Sequence, residues 1–586
     1  MACSILIEND VETLLSDGTI LRSTVYRPVA EGERFPVLMT RTPYGRDLSV
    51  NSAYFNPATV AAAGFVVILQ DVRGRFGSDG EFRPGEQEAD DGAEAVEWAA
   101  RLPYSSGRVG MWGRSYFGES QWRAARRAPH GLGALAPGVC AAGNADNGAL
   151  FRGGAFELGS RLSWGHGSIS LDTIRREFAG DPERLRLELE AWRELDASFA
   201  DGTAYRTLPL TDLKSRAGTF MESHIIPSTG ADPGGEASAA WDWPVSEPVP
   251  LPTLHIGGWF DIFLPNTLGQ YRLQLEASRQ DPAVPRPRLI IGPWSHASFT
   301  ALFPDTAFAG ASSAAVGAYG DLSSIHAEWF RHALADGPEP AMPPVLVYVM
   351  GEDRWQGFDE LPEPSQRREL FLSSAGALGE APGVEASASY SYDPLDPVPS
   401  TGGSTMHLGA DFPGPAEQSA VEARDDVLTF TGEPLGEALT VFGDVTAHLY
   451  ASSSAVDTDF VVRLCRVTPD GRSVALADGI VRASWRDACA HDGVFRAGMP
   501  RRPLTPGAVE EYTVSLWSTA CTFAAGDRIR IQVTSSCHPR WDRNLNTGAR
   551  AFDSSDTVVA HQRLHLGAGA PSRITFGVLE RRGELA

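Results

Sequence analysis

Arg108-Val-Gly-Met-Trp-Gly113-Arg-Ser115-Tyr-Phe-Gly118-Glu-Ser-Gln-Trp122-Arg-Ala-Ala125 is the stretch on which the reading of this chain turns. Its first half is an apolar run suited to a buried strand, and Glu119 to Arg127 has the composition of a helix. Between the two, Gly113 permits the close approach that a sharp turn needs, which would carry Ser115 to the C-terminal edge of a sheet with its hydroxyl exposed. The pattern is G-x-S-x-x-G, so it misses the last glycine position of the familiar G-x-S-x-G form. Alone it is loose, because a serine in an ordinary strand-to-helix turn, with Gly118 assisting helix packing, would leave the same letters.

A serine hydroxyl is a poor nucleophile near neutral pH and needs an imidazole to take its proton. The imidazole needs a carboxylate to fix its tautomer and stabilise its charged form. Two later segments supply both. His255-Ile-Gly-Gly-Trp-Phe-Asp261 sets Asp261 just past an apolar strand, and Leu289-Ile-Ile-Gly-Pro-Trp-Ser-His296 does the same for His296. The order Ser115, Asp261, His296 is that of α/β-hydrolases. Asp261 could instead serve a turn or a helix cap, and His296 could simply satisfy a buried loop. The other histidines are weaker acid-base candidates: His255 lies within a strand run, His326 and His332 on a helix-like stretch, and His561 and His565 in the tail.

Outward from Ser115 the strand, loop and helix alternation continues. Pro36-Val-Leu-Met-Thr and Phe65-Val-Val-Ile-Leu-Gln read as buried strands, and Glu86 to Leu102 as a helix. Residues 145–244 change to amphipathic helical pieces such as Arg184-Leu-Arg-Leu-Glu-Leu-Glu-Ala-Trp, which predicts a helical insertion roofing the site as a cap. Strand material returns over 245–352. After the Pro/Ser/Gly-rich passage at Pro394, segments such as Phe460-Val-Val-Arg-Leu and Arg528-Ile-Arg-Ile-Gln-Val predict an all-β domain over 353–586, a sandwich or jelly roll. The expected architecture is an α/β-hydrolase core, 1–144 and 245–352, with a helical cap insertion and a C-terminal all-β jelly-roll domain.

Composition narrows the function classes. The 586 residues allow several domains and a deep, dry site, and 50 basic against 74 acidic residues leave a formal charge of -24. That surface repels nucleic acid and anionic membranes, so neither is expected as a partner. No apolar run is long enough to span a bilayer, and no export signal is visible at the first residues. The six cysteines are far apart with no CxxC pair, which argues against a metal cluster and suits free thiols in the cytoplasm. Asp71-Val-Arg-Gly-Arg-Phe-Gly-Ser-Asp-Gly80 lacks both a dinucleotide fingerprint and a P-loop lysine, so no cofactor is expected and the stretch reads as scaffolding for an active-site loop.

With Arg41-Thr-Pro-Tyr44-Gly, Asp71 to Gly80, Gly113-Arg-Ser115-Tyr-Phe-Gly118, Gly292-Pro-Trp-Ser-His296 and Trp541-Asp-Arg-Asn-Leu-Asn-Thr-Gly548 in hand, the chain resembles the cocaine esterase and X-prolyl dipeptidyl-peptidase family of serine hydrolases. The resemblance implies an α/β-hydrolase core, a helical cap and a jelly roll. It also implies an oxyanion hole formed by the Tyr44 hydroxyl and the Tyr116 backbone N–H, a role residue-by-residue reading does not assign to Tyr44. The substrate would be a small acyl ester or amide, with no metal. Esters are favoured because Asp261 is followed by Ile262-Phe263-Leu264, without the extra carboxylates that amine-binding relatives place there. X-prolyl dipeptidyl peptidase and amide acylase activity stay open as alternatives, a glycan-binding protein using the β-rich tail is the reading from a different class, and a homodimer is compatible. Phe151, Trp164, Trp259 and Phe263 are candidates for an aromatic substrate pocket, with ordinary core packing open for each.

Overall fold

The computed structural model describes residues 4–30, 32–49, 54–142, 148–216, 221–235, 247–407, 409 and 412–580. The expected boundaries at 144/145 and 244/245 lie outside the described residues. The first half is built on β1 (Ile5–Leu14), β2 (Ile20–Pro28), β3 (Phe35–Thr42), β4 (Val66–Asp71), β5 (Ser105–Arg114) and β6 (Leu132–Gly138). A two-residue-stranded hairpin follows, β7 (Phe151–Arg152) and β8 (Ala155–Phe156), and then β9 (Leu254–Phe260), β10 (Arg288–Ser295), β11 (Val345–Val349) and β12 (Arg354–Phe358).

Ten of these form one sheet in the order β1-β2-β4-β3-β5-β6-β9-β10-β11-β12. From β4 to β11 every neighbouring pair is parallel, whereas β1, β2 and β12 run antiparallel at the edges. The apolar runs are unbroken because both faces are covered. In β3, Val37 and Met39 face the helices Glu88–Ala100 and Tyr116–Ala125, while Leu38 belongs to the cluster holding Leu268 and Phe330 of the helices Leu264–Gln280 and Leu322–Ala335.

The sheet runs on through β12 to Phe358, past the expected end at 352. This edge strand escaped the sequence reading because it alternates only weakly and is mostly solvent-facing, with Phe358 alone fully buried. Between β8 and β9 the described chain is helical, including Leu158–Ser163, Leu171–Glu177 and Pro182–Ala200. The last of these has Pro182 in its first turn and an Asp181 cap whose carboxylate accepts the Arg184 N–H at 3.0 Å.

From Gln366 onward the chain is an all-β domain, an eleven-stranded and largely antiparallel sheet ending with Arg573–Val578. Among the described residues no helix is long and apolar enough to cross a membrane.

Candidate active site

Parallel strands bring their C-terminal ends to one edge of the sheet, and the loops there converge. Ser115 sits between β5 and the helix Tyr116–Ala125 with φ 56° and ψ −128°. A non-glycine residue held there stores backbone strain, on the order of 1–3 kcal/mol, which the surrounding packing must hold. Two glycines make the turn possible. A Cβ on Gly113 would fall 2.5 Å from Phe117 Cβ, and one on Gly118 would fall 2.7 Å from Cys140 Cβ. Gly118 is thus the place where the nucleophile helix meets the end of β6, which gives the displaced second glycine of the motif its physical reason.

Past the end of β10, His296 turns its Nε2 to Ser115 Oγ at 2.9 Å and its Nδ1 to Asp261 Oδ1 at 2.7 Å. In the neutral tautomer that this pairing favours, Nδ1–H donates to the carboxylate and Nε2 accepts the serine proton. Asp261 follows β9 and is fully buried, with its second oxygen accepting the Phe263 N–H at 3.0 Å. Arg114 donates to the His296 carbonyl at 3.3 Å and so ties the histidine loop to the residue before the nucleophile.

Tyr44, two residues beyond β3, accepts the Trp164 Nε1–H on its phenolic oxygen at 2.9 Å and also interacts with the Ser115 side chain. Burial pushes this phenol up to about 12, so it stays a proton donor across the working range. The Tyr116 amide opens the helix, where an N–H has no intrahelical acceptor. The Tyr116 phenol points elsewhere, donating to Glu88 at 3.0 Å. The Asp71 to Gly80 stretch braces this corner. Asp71 accepts the Arg46 N–H at 2.7 Å, and fully buried Arg75 donates to the Pro43 carbonyl at 2.8 Å and the Ile169 carbonyl at 3.0 Å.

Ser115 and His296 open into a cavity whose other walls include Glu119, Arg161, Trp164 and Met406. Of the four aromatic candidates, Trp164 and Phe263 line it, with the Phe263 ring edge-on to His296 at 5.1 Å. Trp259 does not: it lies on β9 facing the sheet core, and its Nε1–H donates to the Tyr348 carbonyl at 2.7 Å. Phe151 is also displaced, packing against Phe156 at 5.6 Å and lining a separate cavity against the C-terminal domain.

Sequence reading missed Glu119, Arg161 and Met406. Glu119 was open to discovery, because it lies one helical turn after Ser115 and shares its face. Arg161 and Met406 come from distant segments with no local signal. Burial pushes the Glu119 carboxyl up to about 8 and pulls the Arg161 guanidinium down to about 10. Arg123 pairs with Glu119 at 3.3 Å, and the Arg161 guanidinium lies 4.9 Å from the centre of the Trp164 ring.

Residues 17–298 match the family profile of X-Pro dipeptidyl-peptidase (S15 family), and residues 340–575 match that of the X-Pro dipeptidyl-peptidase C-terminal non-catalytic domain. Cocaine esterase from Rhodococcus sp. (strain MB1 Bresler) is 31% identical over 603 aligned positions, covering 98% of this chain and 99% of that protein. The chain belongs to the S15 and cocaine esterase family of serine hydrolases. An aminopeptidase from the marine sediment archaeon Thaumarchaeota archaeon superposes on this S15-family chain with TM-score 0.72 at 25% identity, covering 98% of it and 97% of the aminopeptidase. An α-amino acid ester hydrolase has the same fold at TM-score 0.72 and 23% identity, covering 99% and 97% of the two chains. Like these hydrolases, the chain joins an N-terminal catalytic domain to a C-terminal non-catalytic all-β domain.

Proposed function

We propose that this chain is a serine esterase that hydrolyses small acyl esters through an acyl-enzyme on Ser115. The observation that carries the reading is the continuous relay from Ser115 Oγ through His296 to Asp261, at 2.9 and 2.7 Å, opening into the cavity. His296 Nε2 takes the serine proton as Oγ bonds to the acyl carbon, and Asp261 stabilises the imidazolium. The carbonyl oxygen becomes an oxyanion held by the Tyr44 hydroxyl and the Tyr116 N–H. Collapse breaks the ester C–O bond, and His296 returns its proton to the departing alcohol. A water then gives a proton to His296 and its hydroxyl to the acyl carbon; the Oγ–acyl bond breaks as His296 passes that proton to Ser115 Oγ, releasing the acid and restoring the enzyme. In this reading the helices between β8 and β9 act as a cap over the site. The core comprises 1–144 and 245 to about 358, extended to include β12, and the all-β domain is a jelly roll. Trp164 and Phe263 supply the aromatic part of the acyl pocket.

One observation bears on the X-prolyl dipeptidyl-peptidase alternative. A free peptide N-terminus needs a carboxylate, and Glu119 is one at the cavity wall. However, Arg123 and Arg161 both act on Glu119 electrostatically, and two guanidiniums oppose a third cation. The ester reading is therefore preferred. It is tested by fluorophosphonate labelling of the intact protein and of Ser115→Ala, alongside short-chain aryl esters and Xaa-Pro aryl amides. Labelling of the intact protein only, with ester turnover dominant, is expected. Equal labelling of both would remove Ser115 from its role, and dominant amide turnover would move the assignment to the peptidase.

A further inference from the structure

The Trp541 to Gly548 motif lies in the domain whose family description calls it non-catalytic, and the relay at Ser115 leaves it unexplained. The chain from 149 to 164 touches the cavity at both ends: Ala149 enters it before the β7–β8 hairpin, and Ser160, Arg161 and Trp164 enter it after. What lies between is gripped by the C-terminal domain. Gly153 approaches the strand Ser473–Arg482 so closely that a Cβ would stand 2.0 Å from the Ile480 carbonyl oxygen, and the Arg482 N–H donates to Gly153 O at 2.8 Å. On the exit side the Phe156 N–H donates to Asp542 at 2.7 Å, the Trp541 indole to Glu157 at 2.9 Å, and the Gly159 N–H to the Arg540 carbonyl at 3.2 Å.

A buried ionic group sits at the centre of this grip. Arg152 lies on the Trp517 ring at 3.5 Å, donates to the Asp478 and Ser515 carbonyls, and pairs with Asp478 Oδ1 at 3.6 Å. The same oxygen accepts Arg540 Nη1 at 2.5 Å, and Arg540 in turn lies 4.2 Å from the centre of the Trp541 ring. Arg152, Asp478 and Arg540 are each at most 3% exposed. Two guanidiniums thus share the Asp478 carboxylate in a buried interior where Glu157, the other carboxylate acting on both, cannot by itself balance two cations, so losing the Asp478 charge leaves them under-compensated. The two arginines stand one on each side of the connection: Arg152 on the hairpin, and Arg540 on the loop that receives Gly159.

We propose that Asp478, in the all-β domain, is a positioning residue for the acyl cavity. Through Arg152 and Arg540 it fixes the hairpin and the start of the helix Leu158–Ser163, and so sets where Trp164 stands against Tyr44. The C-terminal domain thereby governs which acyl groups the site accepts. This rests on the assignment of Ser115 as nucleophile.

The test compares p-nitrophenyl acetate with p-nitrophenyl phenylacetate for wild type, Asp478→Asn and Trp541→Phe. Asp478→Asn keeps the shape and removes the charge, and Trp541→Phe removes the indole N–H that reaches Glu157 and shrinks the ring that Arg540 lies against. The ratio of kcat/KM for the large acyl group over the small one should fall on the order of ten-fold in Asp478→Asn, with a smaller fall in Trp541→Phe. Loss of thermal stability alone would not move this ratio. A ratio within about two-fold of wild type in whichever variants fold overturns the proposal, and Trp541→Phe keeps the test decisive if Asp478→Asn does not fold. Absence of fluorophosphonate labelling at Ser115 in wild type is a separate outcome and overturns the nucleophile assignment instead.

Discussion

The Trp164 indole donates its N–H to the phenolic oxygen of Tyr44 at 2.9 Å. That bond occupies one lone pair of the oxygen and leaves the phenolic proton for another acceptor, which in the proposed mechanism is the oxyanion. A helical residue between β8 and β9 therefore orients a donor that belongs to the loop after β3. Tyr44→Phe should lower kcat by roughly 10²–10³, the cost of one oxyanion donor. Trp164→Phe should lower it less, because the donor is retained and only its aim is loosened. Steady-state kinetics on p-nitrophenyl acetate would check both, and an unchanged kcat in Tyr44→Phe would remove the phenol from the oxyanion hole.

Asp261 is wholly buried and spends its two oxygens on His296 Nδ1 and the Phe263 N–H. In Asp261→Asn the amide can present an N–H to Nδ1 and invert the histidine tautomer, leaving Nε2 protonated and unable to accept from Ser115. A drop in kcat of about 10⁴ at neutral pH is expected, with the fold retained by circular dichroism. Full activity in a folded variant would show that another carboxylate supports the imidazole.

Glu119 gives the site a pH signature. Burial raises its carboxyl from 4.5 to about 8, with Arg123 and Arg161 opposing that shift and Glu88 adding to it. Between those two values the folded protein holds a proton that the unfolded chain has released. The contribution of Glu119 to stability is therefore fully present below 4.5 and is lost as pH rises toward 8. Glu119→Gln cannot ionise, so its stability should decline less than wild type between pH 5 and pH 8.5, read as the difference in Tm at the two values. Parallel pH profiles for the two proteins would show that Glu119 is ionised throughout.

Packing beneath the nucleophile can be probed at Gly118. A Cβ there would stand 2.7 Å from Cys140 Cβ and 2.8 Å from its Sγ, both on a fully buried residue. Gly118→Ala should destabilise by about 1–3 kcal/mol through overpacking, measured by urea denaturation. Adding Cys140→Gly removes both clashing atoms and should recover part of the loss. No recovery in the double variant would place the strain elsewhere in the turn.

Ser115, Asp261 and His296 were legible in the sequence because each follows a short, continuously apolar run, and parallel strands covered on both faces must read that way. Such runs point their last residues toward a common edge of the sheet, which is why three distant loops could be matched. Trp259 misled for a related reason. It stands two residues before Asp261, but it is still within β9, where its side chain faces the core and its indole is satisfied by the Tyr348 carbonyl. Arg161 and Met406 left no trace, because their place in the cavity depends on how separate segments dock and not on any local pattern. The strand at Arg354–Phe358 was equally silent, since it buries Phe358, half-buries Trp355 and Gln356 and leaves no regular alternation to read.

Met406 lies beyond the matched catalytic region and yet forms part of the wall around Ser115. A chain cut at the end of that region would keep Ser115, Asp261 and His296 but lose the Met406 side chain from the cavity wall, leaving a gap there that solvent could fill. The two halves of the chain thus share the wall of one chamber, with Met406 the side chain that the later half contributes to it.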